Sequence, residues 1–365
     1  MFGQRVTRLN FALQGGGAHG AFTWGVLDRL LEDEELTPAW ISGTSAGAIN
    51  AVAVAHGFAV GGPATARGTL RTLWGAVERA GVPDLLRLNP FLLNFARSAP
   101  IPNVSGLLSP YEFNPLGFDP LRKVLLETID FAAIRAHGAI ELLIAATDVA
   151  TGRPRLFRRN DLTIEAVLAS ACLPTLHHAV TIDGRAYWDG GFSANPDLLT
   201  LASESPAADT LLVQLNPVAK PGLPKTPRDI EDRVNTITFN QPLIAHIDAL
   251  IAAQDADLGW LGKVGLAGKR GKLQRHRMHL IEAGRHTASL GTDSKVRPDG
   301  AMLAYLFNAG RGEASLWYEK HRADVGHRAT IDLAERYRRE LAPSEQVHSG
   351  DAPEDRSRVG STTSV

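Results

Sequence analysis

The segment Gly43-Thr44-Ser45-Ala46-Gly47 follows directly on an apolar run, Ala39 to Ser42, and leads directly into a small-residue helical run through Ala55. A glycine-x-serine-x-glycine pattern in that setting reads as a nucleophile elbow. The sharp strand-to-helix turn lifts a serine hydroxyl to the end of a sheet, where it can attack a carbonyl carbon. Glycine on either side lets the backbone turn tightly, and the helix N-terminus favours developing negative charge. The competing reading is a serine that merely caps the helix.

A second glycine cluster, Gln14-Gly15-Gly16-Gly17-Ala18-His19-Gly20, follows the apolar run Leu9 to Leu13. Read through Gly15, Gly17 and Gly20, it could cradle a dinucleotide pyrophosphate, making the chain a non-catalytic nucleotide-binding α/β protein. That reading wants an acid at the end of the next strand. The next strand ends in Ser42-Gly43, and Asp33, Glu34 and Glu35 all precede it. The preferred reading is an oxyanion hole, with consecutive glycine N–H groups directed at the carbonyl oxygen of an attacked ester. A third cluster is Tyr187-Trp188-Asp189-Gly190-Gly191. Thr181 to Trp188 reads as a hairpin with Asp183-Gly184 as its tight turn, which gives Asp183 a structural task. Asp189 lies where the strand gives way to a glycine pair; taken alone, the segment favours a second turn aspartate.

Together and in this order, Gly15-Gly16-Gly17-x-x-Gly20, Gly43-x-Ser45-x-Gly47 and Asp189-Gly190-Gly191 resemble the three signature blocks of the patatin-like phospholipase family. Ala169-Ser170-Ala171 before Pro174, Ile182-Asp183-Gly184 and Asn195-Pro196 add to the resemblance, which covers Leu9 to Pro217. Thr226 to Leu333 more loosely resembles the helical extension of a bacterial branch. The resemblance implies a three-layer α/β/α fold with a Ser–Asp dyad, Ser45 as nucleophile and Asp189 as base, and an oxyanion hole on the Gly15, Gly16 and Gly17 backbone. It implies no cofactor, and a lipid or other ester as substrate. The chain departs from the family pattern at His19, where Arg or Lys is usual; neutral imidazole brings less positive charge to the glycine loop. A free aspartate is a weak base, so the dyad requires burial to raise the Asp189 pKa.

A histidine triad is the mechanistic rival. His177 and His178 lie near Asp189 in sequence, and His246 follows it in the serine-acid-histidine order of α/β-hydrolases. His246 falls in a helical run, however, and the expectation is a dyad. His276 and His279, with Asp255 and Asp257 upstream, read as solvated surface and not as a metal site.

These residues need a scaffold of alternating strands and helices. Leu9–Leu13, Ala39–Ser42, Ile140–Ala146 and Leu211–Leu215 read as strands, and Ala21 to Glu32 reads as a helix. The apolar stretch Pro83 to Phe118 reads either as a lid or as a core-capping loop. Beyond Pro217 the pattern turns helical: one helix capped at Thr226-Pro227 with Ile230, Val234 and Ile237, and another after Asn240 and Pro242. Two more helices are expected near Met302 to Lys320 and Ile331 to Leu341. The expected organisation is a catalytic core over 1–220, a helical extension packed on it over 221–342, and a polar, disordered tail over 343–365.

Composition narrows the class further. With 365 residues, 44% of them hydrophobic and 21% charged, the chain is long enough for a sizeable core. A net charge of −1 argues against nucleic acid as a partner. The single cysteine, Cys172, leaves no intrachain disulfide framework. Leu9–Leu13 is too short for a secretory core, and no run approaches the roughly 18 apolar residues of a spanning helix. The expected compartment is the cytosol, with any lipid contact peripheral. Leu261 to Ile281, with six Lys or Arg and no acid, reads either as a solvated loop or as a surface for anionic membrane.

Overall fold

The computed structural model describes residues 6–80, 109–257, 268–296 and 298–338. Eight strands form one sheet: β1 (Thr7–Leu13), β2 (Leu36–Thr44), β3 (Glu141–Asp148), β4 (Pro154–Arg158), β5 (Val180–Ile182), β6 (Arg185–Asp189), β7 (Asp209–Gln214) and β8 (Arg277–Glu282). They lie in the order β5-β6-β3-β2-β1-β7-β8, with β4 also paired to β3. The β3-β2-β1-β7-β8 run is parallel, whereas β4 and β6 pair with β3, and β5 with β6, in antiparallel fashion. Parallel strands need both faces covered, and the sequence provides for this by alternation. Leu9, Phe11 and Leu13 of β1 enter one core, while Ala12, Leu143 and Leu212 enter the other.

The first face carries α1 (Gly20–Leu30), α2 (Ala46–Val60), α3 (Pro63–Ala80), α4 (Ile164–Ser170) and, from late in the chain, α6 (Gly300–His321). The second carries the short helix Leu199–Glu204 and α5 (Pro227–Asp255), with Leu333 and Tyr337. The result is a three-layer α/β/α architecture. α1 and α6 cross at glycines: a side chain on Gly25 would overlap the Phe307 carbonyl, and one on Gly310 the Phe22 carbonyl. Beside this contact Asp28 of α1, and Glu32 just past its end, pair with Arg311 of α6 and with Arg67 of α3.

The segment after 220 is not purely helical. Arg277–Glu282 is β8, hydrogen-bonded in parallel to β7, so this part of the chain extends the sheet of the first part. His276 and His279 are accordingly buried and not solvated: His276 Nε2 lies 2.7 Å from Thr210 Oγ1, and His279 Nε2 lies 3.1 Å from Asp209 Oδ1. A six-residue strand amid glycines and cations carries too little periodicity to stand out. The basic stretch is also less free than its composition suggested. Lys269 pairs with Glu204, Lys272 donates to the Glu204 and Ser205 carbonyls, and Arg277 forks onto Asp209; Lys263 lies outside the described residues.

The two helices expected around Pro242 are one, α5, which runs through the proline. An internal proline costs about 3 kcal/mol. Burial of Leu243, Ile247, Leu250 and Ile251 against the sheet offsets this, at about 1.5–3 kcal/mol for each large side chain. Thr226 caps the helix as expected, accepting from the Asp229 N–H at 3.1 Å, but Ile230, Val234 and Ile237 are exposed. The segment near Ile331 to Leu341 forms a short π-helical turn, Ala334–Arg338. Residues 83–108 of the stretch expected as lid or loop, and the expected tail, lie outside the described residues. What is described of the lid, from Ser109 on, is held by Tyr111 stacked on His178 and by the Ala179 N–H donating to the Tyr111 hydroxyl.

Candidate active site

Ser45 is the residue between β2 and α2, and its backbone has φ 54° and ψ −121°. A non-glycine residue in that region is strained, and such strain collects at functional turns. Its neighbours make the turn possible: a side chain on Gly47 would overlap the Leu13 carbonyl of β1. The Ser45 N–H donates to Ser170 Oγ at 2.9 Å, so α4 holds the elbow from the side. No side-chain capping bond is made by Ser45. Its hydroxyl is thus not consumed by the role that the alternative reading assigned to it.

Asp189 ends β6, is 1% exposed, and donates its N–H to the Cys172 carbonyl at 2.8 Å. Its Oδ1 accepts from the Gly191 N–H at 2.7 Å. Burial pushes the carboxyl up to about 7, against the pull of the Gly191 N–H and the Ser45 hydroxyl. Oδ2 has no partner at full hydrogen-bond geometry, so the hydroxyl–carboxylate contact is loose. Ser45 and Asp189 are thereby brought together. A carboxyl near 7 is half ionised at neutral pH and is a far better proton acceptor than a free aspartate.

The glycine loop meets the elbow at Gly15, where an added Cβ would stand 3.0 Å from the Ser45 Cβ. The three glycines expected to donate to an oxyanion are not equivalent. The Gly15 N–H donates to Asn195 Oδ1 at 2.8 Å, so it differs from the other two in having an acceptor within the protein. The other side of the Asn195 amide donates to the Phe239 carbonyl, tying the loop to α5. Among the described residues the N–H groups of Gly16 and Gly17 have no acceptor. Gly17 has φ 57°, and a side chain there would overlap the Lys295 carbonyl.

The histidines have other partners. His246 Nδ1 accepts from the Leu198 N–H at 3.2 Å, and His178 Nε2 lies 3.1 Å from the Pro110 carbonyl. His177 is held below the usual histidine range by burial, which outweighs the opposing charge of Asp119. Cys172 is buried and its thiol is pushed up to about 12 by burial. Two contributors had no signal in the sequence, Asn216 and Lys295 beside the glycine loop, while Ser170 at the elbow entered only within the family resemblance. Asn195 was visible only through the family resemblance.

A family model of the patatin-like phospholipases matches residues 11–202. That is more than half of the chain, and the chain belongs to the patatin-like phospholipase family. Membership supports a lipid acyl hydrolase activity in general terms. Among solved structures, VipD from Legionella pneumophila is similar at 16% identity and a TM-score of 0.43, over 92% of this chain and 73% of that one. The ExoU–SpcU complex from the type III secretion system of Pseudomonas aeruginosa is similar at 15% identity and a TM-score of 0.28, over 93% and 68%. Comparison with curated protein sequences found no match. Among the described residues no helix is long and apolar enough to cross a membrane.

Proposed function

We propose that the protein hydrolyses fatty-acyl esters of phospholipids or glycerides with Ser45 as nucleophile and Asp189 as the only side-chain base. The observation that carries this reading is the strained Ser45 turn beside a fully buried carboxyl raised to about 7. In the first half-reaction Asp189 takes the proton from the Ser45 hydroxyl as its oxygen attacks the ester carbonyl carbon. The Gly16 and Gly17 N–H groups receive the charge that develops on the carbonyl oxygen, in the preorganised manner that lowers such barriers most. Collapse expels the alcohol, which takes the proton from Asp189 and leaves an acyl-Ser45 ester. Water then attacks that ester, Asp189 accepts its proton, and collapse releases the fatty acid and returns the proton to Ser45. The nucleotide-binding alternative gains no support, because β2 leads into Ser45 and not into an acid.

The test is a fluorophosphonate probe with peptide mapping. A covalent adduct on Ser45, lost together with ester hydrolysis in Ser45→Ala, is the expected result. An adduct elsewhere, or a hydrolysing Ser45→Ala protein, overturns the reading.

A further inference from the structure

The short helix Thr292–Lys295 brings a late part of the chain onto the glycine loop. The Lys295 carbonyl seats against Gly17, and the Lys295 ammonium donates to Asn216 Oδ1 at 2.7 Å. The Asn216 Nδ2 in turn donates to the Gly15 carbonyl at 3.4 Å. Asn216 and Gly15 thus link this ammonium to the neighbourhood of Ser45.

His19, which stands in the loop itself, supplies no charge. Ser294 Oγ donates to the Gly291 carbonyl at 2.7 Å and so receives the His19 Nε2 proton across 2.7 Å. Nδ1 is then the bare nitrogen of a neutral ring, buried and without a partner. Burial, followed by the Lys295 charge, lowers the ring to about 4, in agreement with a neutral imidazole. The positive charge beside the glycine loop therefore comes from Lys295, with Lys220 as a second cation acting from further away.

The Lys295 charge has no close counter-ion among the described residues. Among the described residues no carboxylate stands within ion-pair distance of Nζ, and Asp232 acts on it only from further away. An ammonium has three donors, and among the described residues one is used. Half-buried charge without a counter-ion is costly, and an anion from outside would complete the site.

Resting on the proposed hydrolase reading, we infer that Lys295 binds the phosphate of a phospholipid substrate and makes the enzyme prefer phospholipids over neutral esters. The phosphate of a glycerophospholipid lies only a few bonds from its acyl esters, which suits a cation next to the oxyanion site. The source is substrate phosphate, although free phosphate has the same chemistry and should compete for the position.

The experiment compares full-length wild type, Lys295→Gln and Lys295→Arg on monomeric dihexanoyl-phosphatidylcholine and on neutral p-nitrophenyl hexanoate, with and without inorganic phosphate. Losing a charge-assisted hydrogen bond should lower kcat/KM for the phospholipid by about 10- to 100-fold in Lys295→Gln. The neutral ester should change by less than about threefold. Lys295→Arg should restore much of the phospholipid activity, and inorganic phosphate should inhibit wild type but not Lys295→Gln. Equal losses on both esters would make Lys295 a strut of the loop and overturn the inference, as would an unchanged phospholipid rate. If Lys295→Gln does not fold, wild-type turnover of phospholipid unaffected by phosphate overturns it. A wild-type protein that cleaves only the neutral ester removes the Lys295 inference alone, and one that cleaves neither removes the hydrolase reading as well.

Discussion

Thr44 and Asp189 occupy consecutive places along one edge of β3, opposite Ala145 and Ala146. β2 climbs β3 in parallel and stops at Thr44, and β6 descends the same edge antiparallel and stops at Asp189. β4 takes the other edge. Two chain ends therefore meet head to head, with Ser45 as the first residue past one and Asp189 as the last residue of the other. The meeting is set by sheet register, and a slip of one residue would turn the carboxyl to the opposite face.

Asp189→Asn keeps the side-chain size and removes the base. It should lower kcat by about two to four orders of magnitude, as loss of a general base does. Single Ala variants of His177, His178 and His246 should stay within about tenfold of wild type. Steady-state hydrolysis of a soluble ester measures all four, and a folded histidine variant as inactive as Ser45→Ala would replace the dyad with a triad.

The pH profile follows from the direction of the Asp189 shift. The base works only when ionised, and burial holds its proton until about pH 7. The kcat/KM should rise through an apparent pKa near that value and then level off, falling about tenfold for each pH unit below it. A profile already flat above pH 5 would mean that the carboxyl ionises as an ordinary aspartate.

The same burial carries a stability cost. A carboxyl raised from 3.8 to about 7 makes ionising Asp189 in the folded chain cost about 4 kcal/mol, at about 1.4 kcal/mol for each tenfold in the ionisation constant. The raised folded pKa favours the native state below 3.8, and that contribution is lost as pH rises towards 7. Asp189→Asn has no such proton to lose. Its unfolding midpoint should exceed wild type more at pH 8 than at pH 5; equal differences at the two pH values would refute the shift.

Asp209 joins the late strand β8 to the sheet. Arg277 binds it with two nitrogens at 2.9 and 2.7 Å, and His279 and the Gly326 N–H approach the same carboxylate at 3.1 and 3.0 Å. Burial would raise its pKa, but His279, Arg277 and the Gly326 N–H together hold it well below the usual range. Its stabilisation is present above 3.8 and fades as pH falls through the depressed folded value. Asp209→Ala should cost about 2 kcal/mol at pH 7 by leaving the partly buried Arg277 guanidinium and the buried His279 without their acceptor. Urea unfolding checks this, and a change below about 0.5 kcal/mol, the level of an ordinary surface substitution, would refute it.

Local backbone chemistry was legible from the residues themselves. Gly43 and Gly47 around Ser45 announced the elbow, Asp183-Gly184 the hairpin turn, and Thr226-Pro227 the start of α5, because each depends on dihedral preferences of adjacent residues. The alternating runs of β1, β3 and β7 likewise revealed a layered α/β sheet. Strand β8 and the continuous α5 were not legible. A short strand with His276 beside it and a helix containing Pro242 are decided by burial against distant partners, which overrides local propensity. Only the tertiary structure decided that β3 brings Asp189 to Ser45, that burial raises its carboxyl, that Asn195 claims the Gly15 N–H, and that Lys295 supplies the cation His19 does not. Sequence spells out what neighbours along the chain can do to the backbone, whereas pKa, free donors and unanswered charge depend on which atoms exclude water from one another in space.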